Sequence, residues 1–176
     1  MTLNIPNVFV HTEMSQRKEK IIMKIRGALV NILLEICPGV YDDYVLYEGD
    51  NKIVYVIMLK VLYGMMIASV LYYKRFIKDI KTIGFELNPY DMCVANRIVD
   101  KKQHAIIWHV NDVKLSHVDP KVNDKFKEWY QKIQGKFGDV KVTRGTIHDY
   151  LAMILDYTKS GELTVDMVYN IDKMKE

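Results

Sequence analysis

Cysteine is scarce in this chain, with only Cys37 and Cys93 in 176 residues and no C-x-x-C spacing. Neither a disulfide framework nor a four-cysteine zinc module can be built from them, and a reduced intracellular protein, cytoplasmic or nuclear, is expected. Proline occurs four times and glycine nine times, which excludes collagen-like and linker-like composition. Long apolar runs are missing too. None approaches the roughly 20 residues that span a bilayer, and no charged-then-apolar leader opens the chain. P-loop, dinucleotide-binding and serine-nucleophile motifs are absent, so nothing points to those chemistries. No single sign of charge dominates either: 25 Lys and Arg face 22 Asp and Glu, a net charge of +3. That balance permits contact with nucleic acid without arguing for it.

What is present is a globular balance of 49% hydrophobic and 27% charged residues, enough for one domain over residues 1–176. Residues 5–12, "IPNVFVHT", read as a strand introduced by Pro6, followed by the solvated loop "EMSQRKEK". "IIMKIRG" reads as a strand ending at Gly27, and "ALVNILLEI" as a helix stopped by Pro38-Gly39. "DYVLYEGDNKIVYVIML" has the β-rich arms and polar centre of a hairpin. From Met58 the period becomes helical: Met58, Leu62, Met65, Tyr72, Phe76, Ile80 and Ile83 form a stripe that Gly84 stops. Lys74, Arg75, Lys78 and Lys81 fall outside that stripe, where a solvated face or a track for phosphates both fit. Gly64 lies early in this predicted helix, at a cost of roughly 1 kcal/mol, and close packing against a backbone or a ligand would account for it.

"MCVANRIV" and "HAIIWHV" are expected to pair through Asp100-Lys101-Lys102, and a second hairpin turns at Asn111-Asp112. Asp119-Pro120 is a helix start, with Val122, Phe126, Trp129 and Ile133 on one face until Gly135. "DYLAMILDYT" and "ELTVDMVY" follow as strands turned at Lys159-Ser160-Gly161, and "NIDKMKE" as a frayed tail. Hairpins with two main helices argue for α+β. His109, Asp112 and His117 are residue types that ligate zinc, although a hairpin would hold the two histidines toward opposite ends. His11 and His148 stand isolated, as structural or exposed residues. Phe9 reads as an inward strand residue.

The order of these segments carries a resemblance. "LKVLYGMMIASVLYYKRF" is similar to the LKxALYG segment of copia-type retrotransposon reverse transcriptases. "WHVNDVKLSHVD" falls where that family has its Tyr-Val-Asp-Asp hairpin, and "YLAMILDY" where it has Phe-Leu-Gly. Upstream, "NIPNVFVHTEM" resembles the motif Asp-Val-x-x-Ala-Phe-Leu. The resemblance implies a reverse-transcriptase palm with partial fingers, an antiparallel sheet backed by helices, as a piece truncated at both ends. It implies Mg2+ or Mn2+ as cofactor and, as partners, RNA template, DNA primer and other parts of the retrotransposon polyprotein. No membrane partner is expected.

In that family three aspartates hold two divalent ions for nucleotidyl transfer, since hard ions favour anionic oxygen. By resemblance their positions fall on Asn4, Asn111 and Asp112, so two of three carboxylates are amides. A unit charge facing a divalent ion at about 4 Å in an effective dielectric near 20 is worth roughly 8 kcal/mol before desolvation. Even about 3 kcal/mol lost per ligand slows catalysis more than a hundredfold. Asp112 is then the remaining metal ligand, and metal binding is expected to be weak or lost. Phe9, Tyr63 and Gly64 fall on nucleotide-binding positions. His109 replaces the family tyrosine, Ile67-Ala68-Ser69-Val70 replaces Gln-Ala-Pro-Arg, and Ala152 replaces the glycine of Phe-Leu-Gly. The expectation is a catalytically inactive fragment of a copia-type reverse transcriptase. The alternative is a non-enzymatic nucleic-acid-binding or interaction module that kept the palm.

Overall fold

The computed structural model describes residues 1–14, 20–135 and 138–174. Most of the expected "EMSQRKEK" loop therefore lies outside the described residues. The first strand, β1 (Thr2–Asn4), ends where Pro6 removes a backbone donor and Asn7 turns to φ 54°. The expected strand over 5–12 does not form: it lies before the proline, and residues 6–12 run through turns.

Residues 13–62 make one of two compact units. Within it β2 (Ile22–Arg26) leads through Gly27 into α1 (Ala28–Ile36). β3 (Leu46–Glu48) and β4 (Asn51–Ile57) close a hairpin over Gly49-Asp50. The sheet order is β2-β4-β3, all antiparallel, with Val30, Ile53, Val54 and Val61 buried. Strand, helix and hairpin all stand where glycine, proline and β-branched runs mark them.

The other unit joins Met1–Thr12 to the chain from Tyr63 onward. Its first helix, α2, is Ala68–Thr82 and starts ten residues later than the apolar stripe predicts. Gly64 sits at φ 87° in a turn before it, so Met58, Leu62 and Met65 shared a spacing without sharing a helix. Nothing lies within 4 Å of where a Gly64 side chain would stand, which replaces close packing with backbone conformation as its role. The helix stops as expected: Phe85 N–H donates to the Ile80 carbonyl (3.2 Å) and Gly84 N–H, at φ 86°, to that of Lys81 (3.1 Å).

Next come β5 (Glu86–Leu87), β6 (Val94–Val99), β7 (Lys102–His109), β8 (Asp112–Ser116), α3 (Pro120–Gln134) and β9 (Lys141–Thr143). With β1 the strands form a six-stranded antiparallel sheet ordered β5-β6-β7-β8-β1-β9. One face is apolar: Leu3, Ala95, Ile106, Trp108, Val113 and Leu115 are buried against Tyr72, Phe76 and Ile80 of α2 and Phe126 and Tyr130 of α3. Asp119 caps α3 by accepting from Lys121 N–H (3.0 Å), with Pro120 in the first turn. Its buried face is Val122, Asn123, Phe126, Tyr130 and Gln134, while Trp129 is only partly buried.

The expected strand "DYLAMILDYT" is a hairpin instead. β10 (Ile147–Tyr150) turns at Leu151-Ala152 into β11 (Met153–Asp156), which pairs with the short β12 (Thr164–Asp166). Residues expected in the last strand and frayed tail enter α4 (Val168–Lys173). The architecture is α+β, with antiparallel sheets and four helices among the described residues. None of those helices is long and apolar enough to cross a membrane.

Candidate functional site

The β7–β8 hairpin turns one residue earlier than Asn111-Asp112 suggests. His109 pairs with Asp112, so the two turn residues are Val110 and Asn111, and Asp112 is the first residue of β8. Val110 takes φ 50°, a position glycine usually fills in a two-residue turn. β1 lies antiparallel to β8 with Asn4 opposite Asp112. Ile5 N–H donates to the Asn111 carbonyl (2.8 Å), and Asn4 Nδ2 donates to Asp112 Oδ1 (2.7 Å). Asn4, Asn111 and Asp112 thus share one corner of the sheet, with Asn4 and Asp112 half-buried on the face opposite the core.

The polarity of that bond matters. A carboxylate only accepts, so Asn4 must turn its nitrogen toward Asp112. An amide ligating a cation would present its oxygen instead. One Asp112 oxygen is occupied by the amide, and one carboxylate supplies one negative charge. These residues do not fit a pair of divalent ions. Among the described residues no cluster of three or more His, Cys, Asp or Glu is assembled anywhere.

A residue that sequence reasoning missed approaches the same corner. Tyr150, at the end of β10, is buried, and its hydroxyl has no hydrogen-bond partner among the described residues. Burial, then the negative charge of Asp112, then Cys93 and Asp91, push its pKa to about 12. Asp91 Oδ1 is engaged by the Cys93 N–H (2.8 Å). A phenol kept neutral by burial and by the Asp112 charge will not act as a base near neutrality. Its place was hidden because Leu151-Ala152 carries no conventional turn signal; with the turn known, β10 register alternation puts His148 and Tyr150 on the buried side.

The other expected residues divide. Phe9 and Tyr63 do meet, edge to face, with ring centroids 4.8 Å apart, and Phe9 also packs edge-on against Tyr72 at 6.1 Å. Phe9 is a turn residue rather than the expected strand residue, partly buried against the core. On α2, Lys74, Lys78 and Lys81 are exposed, whereas Arg75 is ion-paired to Asp79 (3.5 Å) within the helix. Burial raises the Asp79 carboxyl, an effect Arg75 partly offsets.

The zinc reading is not supported by placement. His109 stands opposite Asp112, while His117 is held elsewhere, its Nδ1 accepting from Asp119 N–H (3.0 Å) beside His104. His11 and His148 are both buried. Comparison with protein-family models, with curated proteins and with solved structures gives no match.

Proposed function

We propose that this chain is a degenerate palm segment of a copia-type reverse transcriptase, no longer competent for nucleotidyl transfer. The observation that carries the reading is the Asn4–Asp112 pair. Two motifs 108 residues apart, matched by their order in the chain, meet side chain to side chain at the tip of a two-residue hairpin. The antiparallel sheet with helices on one face is compatible with a palm, and the motif order supplies the rest of the argument. An amide donating to the surviving carboxylate explains how the corner tolerates the loss of its charges: it satisfies itself without a cation.

The test restores the charges. Asn4→Asp with Asn111→Asp puts three carboxylates at the tip with almost no change in volume. Without metal the double variant should melt below the parent, because like charges at hydrogen-bond distance repel. Magnesium or manganese at one hundred times its dissociation constant should then recover about 2.7 kcal/mol in the variant and little in the parent. An equal metal response in both proteins would sink the assignment of Asn4 and Asn111 to former ligand positions. Primer extension on an RNA template checks inactivity separately, and robust extension by the unmodified chain would overturn it.

A further inference from the structure

Helix α1 is built almost wholly from apolar residues: across Ala28–Ile36 only Asn31 and Glu35 are polar. One side of it serves the core of its own unit, where Val30 is fully buried and Leu33 and Leu34 are partly so. Leu29, Ile32 and Ile36 follow at i, i+3 and i+7 on another side, and they are 64%, 48% and 72% exposed. A helix that is apolar all round is normally covered all round, and a contiguous exposed apolar stripe marks a contact surface.

The two ends of this helix are mismatched to its dipole. No side chain caps the start, where Gly27 stands, and the first turn holds no acidic residue. The last turn holds no basic residue, and Glu35 sits there without an ion pair among the described residues. An anion is stabilising at a helix N-terminus and unfavourable at a C-terminus. What the surface lacks at one end it carries at the other. An antiparallel copy of the same helix, centred on Ile32, sets Leu29 opposite Glu35 and Ala28 opposite Ile36. At 3.6 residues per turn Ala28 and Glu35 flank the stripe on the same side. Each Glu35 therefore comes to the uncapped start of the opposite helix.

We propose that α1 is a self-association surface, packed antiparallel against α1 of a second copy across a two-fold axis at Ile32. Leu29, Ile32 and Ile36 form the apolar seam, and the two Glu35 carboxylates at the opposite N-termini set its direction. A two-fold contact needs a self-complementary patch, and charge and dipole supply one here. Parallel pairing would bring the two Glu35 side chains together, where like charges repel. One short helix covers less than the roughly 1,200 Å² of a standard interface, so the dimer is weak, with a dissociation constant on the order of 10–100 µM. The inference holds whether or not the chain derives from a polymerase.

Sedimentation of the full chain, from tenfold below that constant to tenfold above it, tests the assignment. It should show a reversible monomer–dimer equilibrium that persists at high salt, as an apolar seam requires. Ile32→Lys places two ammonium groups at the axis and should weaken the dimer at least tenfold. Ile36→Lys, at the more exposed position, should do the same with the fold intact by circular dichroism. Glu35→Arg should weaken it severalfold. Ile98→Lys changes a residue of the other unit that is as exposed as Ile36, and should alter the constant less than twofold. A chain monomeric throughout would overturn the proposal. The stripe would then belong to a different partner, or to the same chain if both lysine variants lower the melting temperature of that monomer by several degrees. Dimerisation unchanged in both lysine variants, or strengthened by Glu35→Arg, would equally overturn it.

Discussion

His104 has no exposed surface, and its Nδ1 accepts from Arg97 Nε at 3.1 Å. Burial first, then the Arg97 and His117 charges, hold its pKa down to about 4. Arg97 is itself fixed by donating to the Ile83 carbonyl (2.7 Å) and by stacking over Phe85, 4.7 Å from the ring centroid, so it cannot swing away. The unfolded chain takes up this proton near pH 6.5 and the folded chain only near 4. Stability from this group is therefore complete above 6.5, is lost as pH falls through the interval, and does not change further below 4. The loss is about 3 kcal/mol at most. His148 is shifted in the same direction, chiefly by burial, and adds to the slope. Urea unfolding at pH 7 and pH 4.5 should show the midpoint falling in acid, and His104→Gln should flatten the fall while lowering stability at pH 7. A His104→Gln protein with the parent's pH slope would remove His104 from the account.

The turns show which elements were legible and why. Those called from sequence had conventional signals: Gly49-Asp50 in the first hairpin, Asp119-Pro120 at α3, Gly84 after α2. The misread ones had none. Leu151 and Ala152 take φ 53° and 60°, as a mirror-image hairpin turn demands, yet both are apolar residues that pattern reading assigns to a strand. Val110 does the same at φ 50° with a β-branched side chain, which moved the apparent turn onto the next polar residues. At each such position a side chain opposes the backbone by roughly 1 kcal/mol or more. Ala152→Gly should therefore raise stability by about 0.5–1 kcal/mol, even though glycine loosens the unfolded chain. Val110→Gly should gain less or lose, because Val110 packs against the core and glycine forfeits that contact. Melting temperatures decide it, and a fall in Ala152→Gly would show that its turn is not strained.

Across the whole molecule, periodicity could not bring Asn4 to Asp112; only the order of motifs did, because nothing local in a three-residue strand names its partner. Tyr150 stayed hidden for the same reason, since its approach to Asp112 depends on a second sheet. β1 is an interior strand of its sheet, with β8 on one side and β9 on the other, yet residues 13–62 fold as a separate unit between it and the rest. Its register partners Lys114 and Thr143 stand opposite Thr2. During synthesis β1 thus waits for a partner strand that follows it by 108 residues, Asn4 to Asp112, and is among the later strands of its sheet to find its place. Closing so large a loop before any contact forms slows folding. Pulse-labelled hydrogen exchange during refolding should accordingly protect the β3–β4 and β6–β7 amides in an early phase and the Leu3 amide in a later one. Simultaneous protection would mean that β1 docks with the nascent sheet. On the expected course, two strands of the sheet expose bare edges to each other until β1 slides between them, and the interval before that insertion is when a neighbouring nascent chain can take its place.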